Sequence, residues 1–92
     1  MIKSFRHKGL DRFFSKRDRS KIDARQADGI RRILDRLDAS VRPEDMNLAG
    51  FGFHGLSEKL KGAFAVSVSG KWRITFRFAD ADAIDVNLED YH

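Results

Sequence analysis

The stretch that decides the fold is FAVSVSGKWRITFRF, residues 64–78, in which apolar residues recur at every second position. Phenylalanine and valine alternate with alanine and serine over residues 64–68, and large apolar residues alternate with arginine and threonine over residues 72–78. A period of two is typical of half-buried β-strands. The intervening Ser69-Gly70-Lys71 has the composition of a tight turn. These residues therefore predict an antiparallel hairpin with one apolar face.

Two helices are predicted before this hairpin. Apolar residues at helical spacing predict a short helix over residues 10–17 and a longer helix from about Asp23 to Ala39. Asp23 is the expected N-cap of the second helix, with Gln26 at the capping-box distance. Each helix carries one apolar stripe, which must bury against another surface. The apolar face of the hairpin supplies that surface.

Shorter elements complete the predicted fold. Alternation over residues 2–6 predicts a short opening strand, and alternation over residues 83–88 predicts the last strand. Pro43 can open a short helical turn, whereas the glycine-rich residues 50–55 are expected to form a loop or an irregular sheet edge. The element order predicts a single α+β domain over residues 1–92, a small antiparallel sheet with two N-terminal helices packed on one face.

Charge is distributed unevenly along the chain. Residues 1–42 hold 13 Lys or Arg and 6 Asp or Glu, a balance of +7, whereas residues 43–92 hold 5 and 8, a balance of −3. A basic half indicates a polyanionic partner such as nucleic acid, although a solvated helical surface has the same composition. The chain has no cysteine and no apolar stretch typical of a signal peptide or a membrane span. We therefore expect a cytoplasmic protein that contacts no membrane.

The predicted strand at residues 72–78 carries two arginines on the face opposite its apolar residues. Arg73 and Arg77 are about 13 Å apart along the strand, with Thr75 between them. A guanidinium group suits bidentate contact with phosphate, so this face is a candidate phosphate site. The alternative is cross-strand pairing with an acidic residue such as Asp85, and the strand alone favours this alternative slightly.

Two of the three histidines are candidates for proton transfer. His54 lies in the glycine-rich segment and His92 follows Asp90 and Tyr91 after the last strand, whereas His7 is expected to be solvated. Histidine titrates near neutral pH, so one ring can act as base and another as acid in RNA cleavage by the 2′-hydroxyl. The sequence has no zinc-binding HExxH spacing and no Walker loop. We therefore expect neither a metal nor another cofactor.

Motifs in the second half of the chain resemble those of the HigB toxins, which belong to the wider RelE/ParE superfamily. The motifs are Leu60-Lys61-Gly62, FAVSV at residues 64–68, WRITFRF at residues 72–78 and the terminal Asp90-Tyr91-His92. The opening residues 1–5 and the two helices are similar too, so the resemblance covers the whole chain. It implies a RelE-like fold and ribosome-dependent cleavage of messenger RNA without a metal. The implied partners are the ribosome with its messenger RNA, and a HigA-type helix-turn-helix antitoxin. The toxin would contact operator DNA only in complex with this antitoxin.

The resemblance also implies roles for individual residues. His54 and His92 are similar to the family's proton-transfer histidines, and Arg73 is similar to the arginine that holds the scissile phosphate. The implied catalytic residues are His54, Arg73, Asp90, Tyr91 and His92, and the implied RNA-binding residues are Lys59, Lys61 and Arg77. Residues 54–58 depart from the family pattern, because they read His-Gly-Leu-Ser-Glu where the family often has His-Pro-Leu-Lys-Gly. Lys59 or Lys61 would then supply the missing positive charge.

Two other functions are consistent with the sequence. A ParE-type poison of DNA gyrase would share the fold but would not need His54 and His92 for catalysis. A non-catalytic nucleic-acid-binding module would use only the basic helices, and its binding would weaken steeply with salt. A ribonuclease that uses the 2′-hydroxyl, in contrast, spares DNA and any RNA whose 2′-position is blocked.

Overall fold

A computed structural model describes residues 1–56 and 62–90. The helices are α1 (Lys8–Lys16), α2 (Ala27–Ala39) and a 3₁₀ helix (Pro43–Met46), and the strands are β1 (His54–Gly55), β2 (Phe64–Ser69), β3 (Trp72–Ala79) and β4 (Asp82–Asp90). The four strands form one antiparallel sheet in the order β1-β2-β3-β4. The predicted α+β fold is therefore confirmed. No helix within the described ranges is long and apolar enough to cross a membrane.

The hydrophobic core lies between the two helices and one face of the sheet. The buried apolar side chains of the helices are Leu10, Phe13, Ala27, Ile30, Ile33, Leu34 and Leu37, and those of β2, β3 and β4 include Val66, Ile74, Phe76, Ala83 and Val86. Fully burying one side chain of the size of leucine or phenylalanine contributes roughly 1.5–3 kcal/mol. Because both helices cover the same face, the opposite face of the sheet is left for other contacts.

The opening residues 2–6 form an extended segment beside β4. Ile2 and Phe5 each make an isolated parallel bridge, to Ala83 and Val86 respectively. The opening strand predicted from the alternation is thus an extended segment paired at two positions. The segment leads directly into α1.

Helix α2 begins at Ala27, later than the sequence predicted. The Asp23 carboxylate accepts hydrogen bonds from the backbone N–H of Arg25 at 2.9 Å and from its guanidinium, and the latter contact contributes most to lowering the pKa of Asp23. Gln26 is the N-cap residue, but its side-chain amide donates to Ser69 Oγ at 3.0 Å. The predicted capping box of Asp23 and Gln26 is wrong, because both side chains have other partners.

Strand β4 contains a β-bulge at Asp85, whose φ angle is +54°. The register of β3 and β4 shifts by one residue between the pairs Thr75–Asn87 and Arg77–Ile84. A bulge of this kind adds one residue to the strand, so each later residue lies on the face opposite to the one that regular alternation from the start of the strand would give it. Ile84 therefore shares the face of Arg77, whereas the later apolar residues of β4 pack on the core. Regular alternation along the last strand predicts that Ile84 faces the core together with Val86 and Leu88, and the bulge makes this prediction wrong for Ile84.

Candidate active site

One row of paired residues crosses the sheet on the face opposite the helices, which we call the open face. His54 pairs with Ala65, Ala65 with Thr75, and Thr75 with Asn87. Directly paired residues of antiparallel strands point to the same side of a sheet. The two arginines of β3 are each two residues from Thr75 and therefore also lie on the open face. The open face is the candidate active site.

Arg73 is held by a carboxylate across the sheet. Its paired residue is Glu89, whose Oε1 accepts a hydrogen bond from Arg73 Nε at 2.9 Å and lies 2.7 Å from Nη2. The Arg73 side chain is only 16% exposed and that of Glu89 is 35% exposed. Contact through two guanidinium nitrogens fixes the plane as well as the position of the group. The acidic partner is thus Glu89, whereas the sequence suggested a residue such as Asp85.

A small recess of about 70 Å³ opens beside this ion pair. The described polar residues that line it are Arg6, Thr75, Arg77, Asp85, Asn87 and Glu89. Gly62, at φ +89°, lies beside Arg77, and a Cβ added there would lie 3.2 Å from Arg77 Nη1. Glycine therefore permits the close approach of backbone and guanidinium. The groups of this recess that can donate to a phosphate are the two guanidinium groups, the hydroxyl and the amide, whereas Asp85 and Glu89 balance the guanidinium charge.

His54 is exposed and has a defined hydrogen bond. Its Nδ1 lies 2.9 Å from the carbonyl oxygen of Gly52. A carbonyl oxygen only accepts, so Nδ1 carries the hydrogen in the neutral ring and Nε2 has a lone pair that can take a proton. From sheet spacings, the Cα atoms of His54 and Arg73 are about 12 Å apart. Their side chains can therefore contact the same segment of a bound chain.

Asp90 occupies a different place from the two arginines. It is exposed at the end of β4 and pairs with Trp72. It therefore lies on the same face of the sheet as Trp72, which is not the face of Arg73. The structure thus brings His54, Arg73 and Arg77 to one face and leaves Asp90 at the edge of the other. The candidates Tyr91, His92, Lys59 and Lys61 lie outside the described residues. Residues 1–56 and 62–90 contain no cluster of three or more His, Asp or Glu that could hold a metal ion.

Three polar residues of this region were not singled out from the sequence. They are Glu89, Asn87 and Arg6, which line the recess with Arg77. The sequence signal for the first two is their alternation with the apolar residues of the last strand. That signal becomes useful only when the register of β4 is known, and the bulge changes that register. Arg6 lines the recess because the opening segment pairs with β4. The composition of the opening segment does not indicate this pairing.

The fold and this face define a class of protein, since a small antiparallel sheet with two helices on one face and arginines on the other is consistent with RelE-like toxins. The chain matches the family model of HigB-like toxins, described as RelE-like toxin of type II toxin-antitoxin system HigB, over residues 3–92. It is also 38% identical over 92 residues, covering 100% of both chains, to a protein of Proteus vulgaris named endoribonuclease HigB. The chain therefore belongs to the HigB-like toxins of type II toxin–antitoxin systems, as the sequence motifs predicted.

The pair Arg73–Glu89 is expected to couple by about 1–2 kcal/mol in a double-mutant cycle. The expected coupling exceeds that of a surface pair because both side chains are mostly buried and joined through two nitrogens. The measurement compares the free energies of urea unfolding of the Arg73→Ala, Glu89→Gln and double variants with wild type. A coupling energy near zero would mean that the carboxylate does not hold the guanidinium in solution.

Proposed function

We propose that this chain is a ribosome-dependent endoribonuclease that cleaves messenger RNA and thereby acts as the toxin of its system. The observation that carries the proposal is the guanidinium of Arg73, oriented by Glu89 on the open face that also presents His54. The name of the Proteus vulgaris relative, endoribonuclease HigB, supports the same activity. No second function is favoured by a feature of this face.

The proposed reaction uses the nucleophile that RNA carries. The 2′-oxygen attacks the adjacent phosphorus, its proton passes to His54 Nε2, and the bond from phosphorus to the 5′-oxygen breaks. His92 protonates the departing 5′-oxygen, which leaves a 2′,3′-cyclic phosphate and a 5′-hydroxyl. Arg73 stabilises the charge that grows on the phosphoryl oxygens. These proton transfers need no metal ion.

Other residues have supporting roles in this proposal. Asp90 and Tyr91 orient His92 and contact the substrate, and Arg77 binds the RNA backbone from the recess. Lys59 and Lys61 add positive charge near His54 in the sequence, where residues 54–58 lack the lysine of the family pattern. The proposed partners are the ribosome with its messenger RNA in the cytoplasm, and a HigA-type helix-turn-helix antitoxin. Operator DNA would be contacted only through the antitoxin complex.

The decisive experiment programs ribosomes with a defined messenger and adds purified protein in the presence of a chelator. We expect new 5′ ends within codons at the decoding site. The chelator should not prevent these cuts, because the attacking 2′-hydroxyl belongs to the messenger itself. A matched messenger with a single 2′-O-methyl group at the mapped position should be spared there. The His92→Ala variant should lose the cuts while keeping the circular dichroism spectrum of wild type.

Four other results would each reject part or all of the proposal. Cleavage that requires added divalent metal would remove the metal-free mechanism. Cleavage of free RNA at the same rate would remove the dependence on the ribosome. Intact messenger in cells whose growth is arrested would indicate the gyrase poison instead, and intact messenger without arrest would indicate a binding module.

A further inference from the structure

A second recess, which we call the basic recess, is formed where the opening segment meets α1. It has a volume of about 680 Å³, and the side chains that line it include Arg6, His7, Lys8, Arg12, Lys21 and Asn87. Among the residues that the structure describes, the lining contains four Lys or Arg and no Asp or Glu. Asp18 has its pKa lowered chiefly by hydrogen bonds with Ser20 and further by Arg12 and Lys21, but it does not line the recess. Such a one-sign lining attracts an anionic ligand.

His7 is a donor in this recess rather than a merely solvated residue. It is the N-cap of α1, and its Nδ1 accepts a hydrogen bond from the backbone N–H of Leu10 at 3.0 Å. In the neutral ring the hydrogen must then be on Nε2, which makes the outer nitrogen a donor. The ring therefore adds a neutral N–H to the cationic groups around it.

The recess is closely packed at its base. A Cβ added to Gly9 would lie 2.7 Å from His7 Cε1 and 2.7 Å from the Cβ of Lys21. Real Cβ atoms do not approach other atoms so closely, so glycine is needed for the segment at Lys21 to pack against α1 at this point. The basic side chains are thus brought together by a specific contact between two segments that are distant in sequence.

The basic recess adjoins the candidate active site. Arg6 and Asn87 line both the basic recess and the smaller recess that contains Arg77 and Glu89. We propose that the basic recess binds backbone phosphates of the single-stranded RNA segment that flanks the cleaved linkage. This inference rests on the proposed ribonuclease function for its substrate class. A continuous polyanion suits the site better than a single anion, because the donors come from the opening segment, α1 and β4, and two of them also line the smaller recess.

The test measures binding apart from cleavage. The probe is a fluorescent single-stranded RNA with 2′-O-methyl groups throughout, which cannot undergo attack by its own 2′-oxygen. Its anisotropy is titrated with wild type, with Arg12→Gln/Lys21→Gln, and with the control Arg32→Gln/Arg36→Gln, over a series of salt concentrations. The control removes the same charge from α2, where both arginines border a different surface.

In the test variant the negative slope of log K against log salt should become less steep by about 1.4, because each phosphate contact on a single strand contributes about −0.7 to it. At 0.1 M salt this corresponds to roughly 25-fold weaker binding, when the contribution of the two phosphate contacts to log K is taken as zero at 1 M salt. The control should change neither the slope nor the affinity by a comparable amount. Lys8→Gln/Arg12→Gln provides a second test variant with the same expected loss if the first does not fold.

Equal losses in the test and control variants would reduce the effect to net charge and overturn the proposal. Unchanged RNA binding with a weakened antitoxin complex would overturn it too and assign the recess to an acidic protein surface. Failure of the ribonuclease proposal would be seen separately, as an absence of cleavage by wild type on ribosomes. The binding titration still decides the role of the basic recess in that case, because it uses an RNA that cannot be cut.

Discussion

Replacement of Arg73 by alanine is expected to lower the single-turnover rate of messenger cleavage on ribosomes by about 10²–10³-fold. The guanidinium is mostly buried and is oriented by Glu89. It can therefore stabilise the negative charge of the transition state without first changing its own position. The rate is measured with toxin in excess over programmed ribosomes, which separates the chemical step from product release. Arg73→Lys should recover only part of the rate, because an ammonium group keeps the charge but lacks the two-nitrogen contact.

Arg25→Ala is the matched control for this prediction. Arg25 also makes an ion pair with a carboxylate, Asp23, but its side chain is 90% exposed and it lies outside the open face. Both substitutions remove one positive charge and one ion pair, so a general effect of charge would slow both variants equally. If folded Arg73→Ala cleaved within threefold of wild type, Arg73 would not hold the scissile phosphate.

The sequence alone located the arginines of the candidate site because β3 is regular. Alternation over residues 72–78 puts Arg73, Thr75 and Arg77 on one face, and the structure shows them there. A strand with large apolar residues at every second position has one register that buries them. The facing of the polar positions follows directly from that register.

The acidic partner of Arg73 could not be derived in the same way. Counting back from the turn pair Ala79–Asp82 with regular pairing would place Leu88 opposite Arg73, whereas the structure places Glu89 there. The difference of one residue comes from the bulge at Asp85. This aspartate has a positive φ angle, and its backbone N–H donates to Ser4 Oγ at 2.9 Å. No local pattern marks such a position, because the bulge is stabilised by a residue at the other end of the chain.

The start of α2 shows a similar limit of local rules. Asp23 and Gln26 have the spacing of a capping box, which is a statement about neighbouring residues. In the fold, Gln26 instead bonds Ser69 on β2, 43 residues away. A local preference of about 1 kcal/mol is readily overridden by contacts that form only when the helix packs on the sheet. The body of the helix was predictable because its apolar stripe is long and periodic.

Replacement of Phe76 by alanine is expected to lower the free energy of unfolding by about 3–5 kcal/mol. The Phe76 side chain is 1% exposed at the centre of β3, with ring centroids 6.2 Å from Phe64 and 6.0 Å from Phe78. A domain of 92 residues has a total stability of roughly 5–14 kcal/mol. The substitution therefore removes a large part of the stability, and inactivity of this variant would say nothing about catalysis.

Phe14→Ala is the control, because it deletes the same side chain from a half-buried position on α1. Phe14 also has an aromatic neighbour, Phe5 at 6.0 Å, and a guanidinium from Arg31 over its ring. Its partial exposure should reduce the loss to roughly half that of Phe76. Urea unfolding followed by the fluorescence of Trp72 and by circular dichroism gives both values, provided that the two midpoints coincide. Equal losses in the two variants would contradict the prediction. They would mean that the buried position on β3 contributes no more to the free energy of unfolding than the half-buried position on α1.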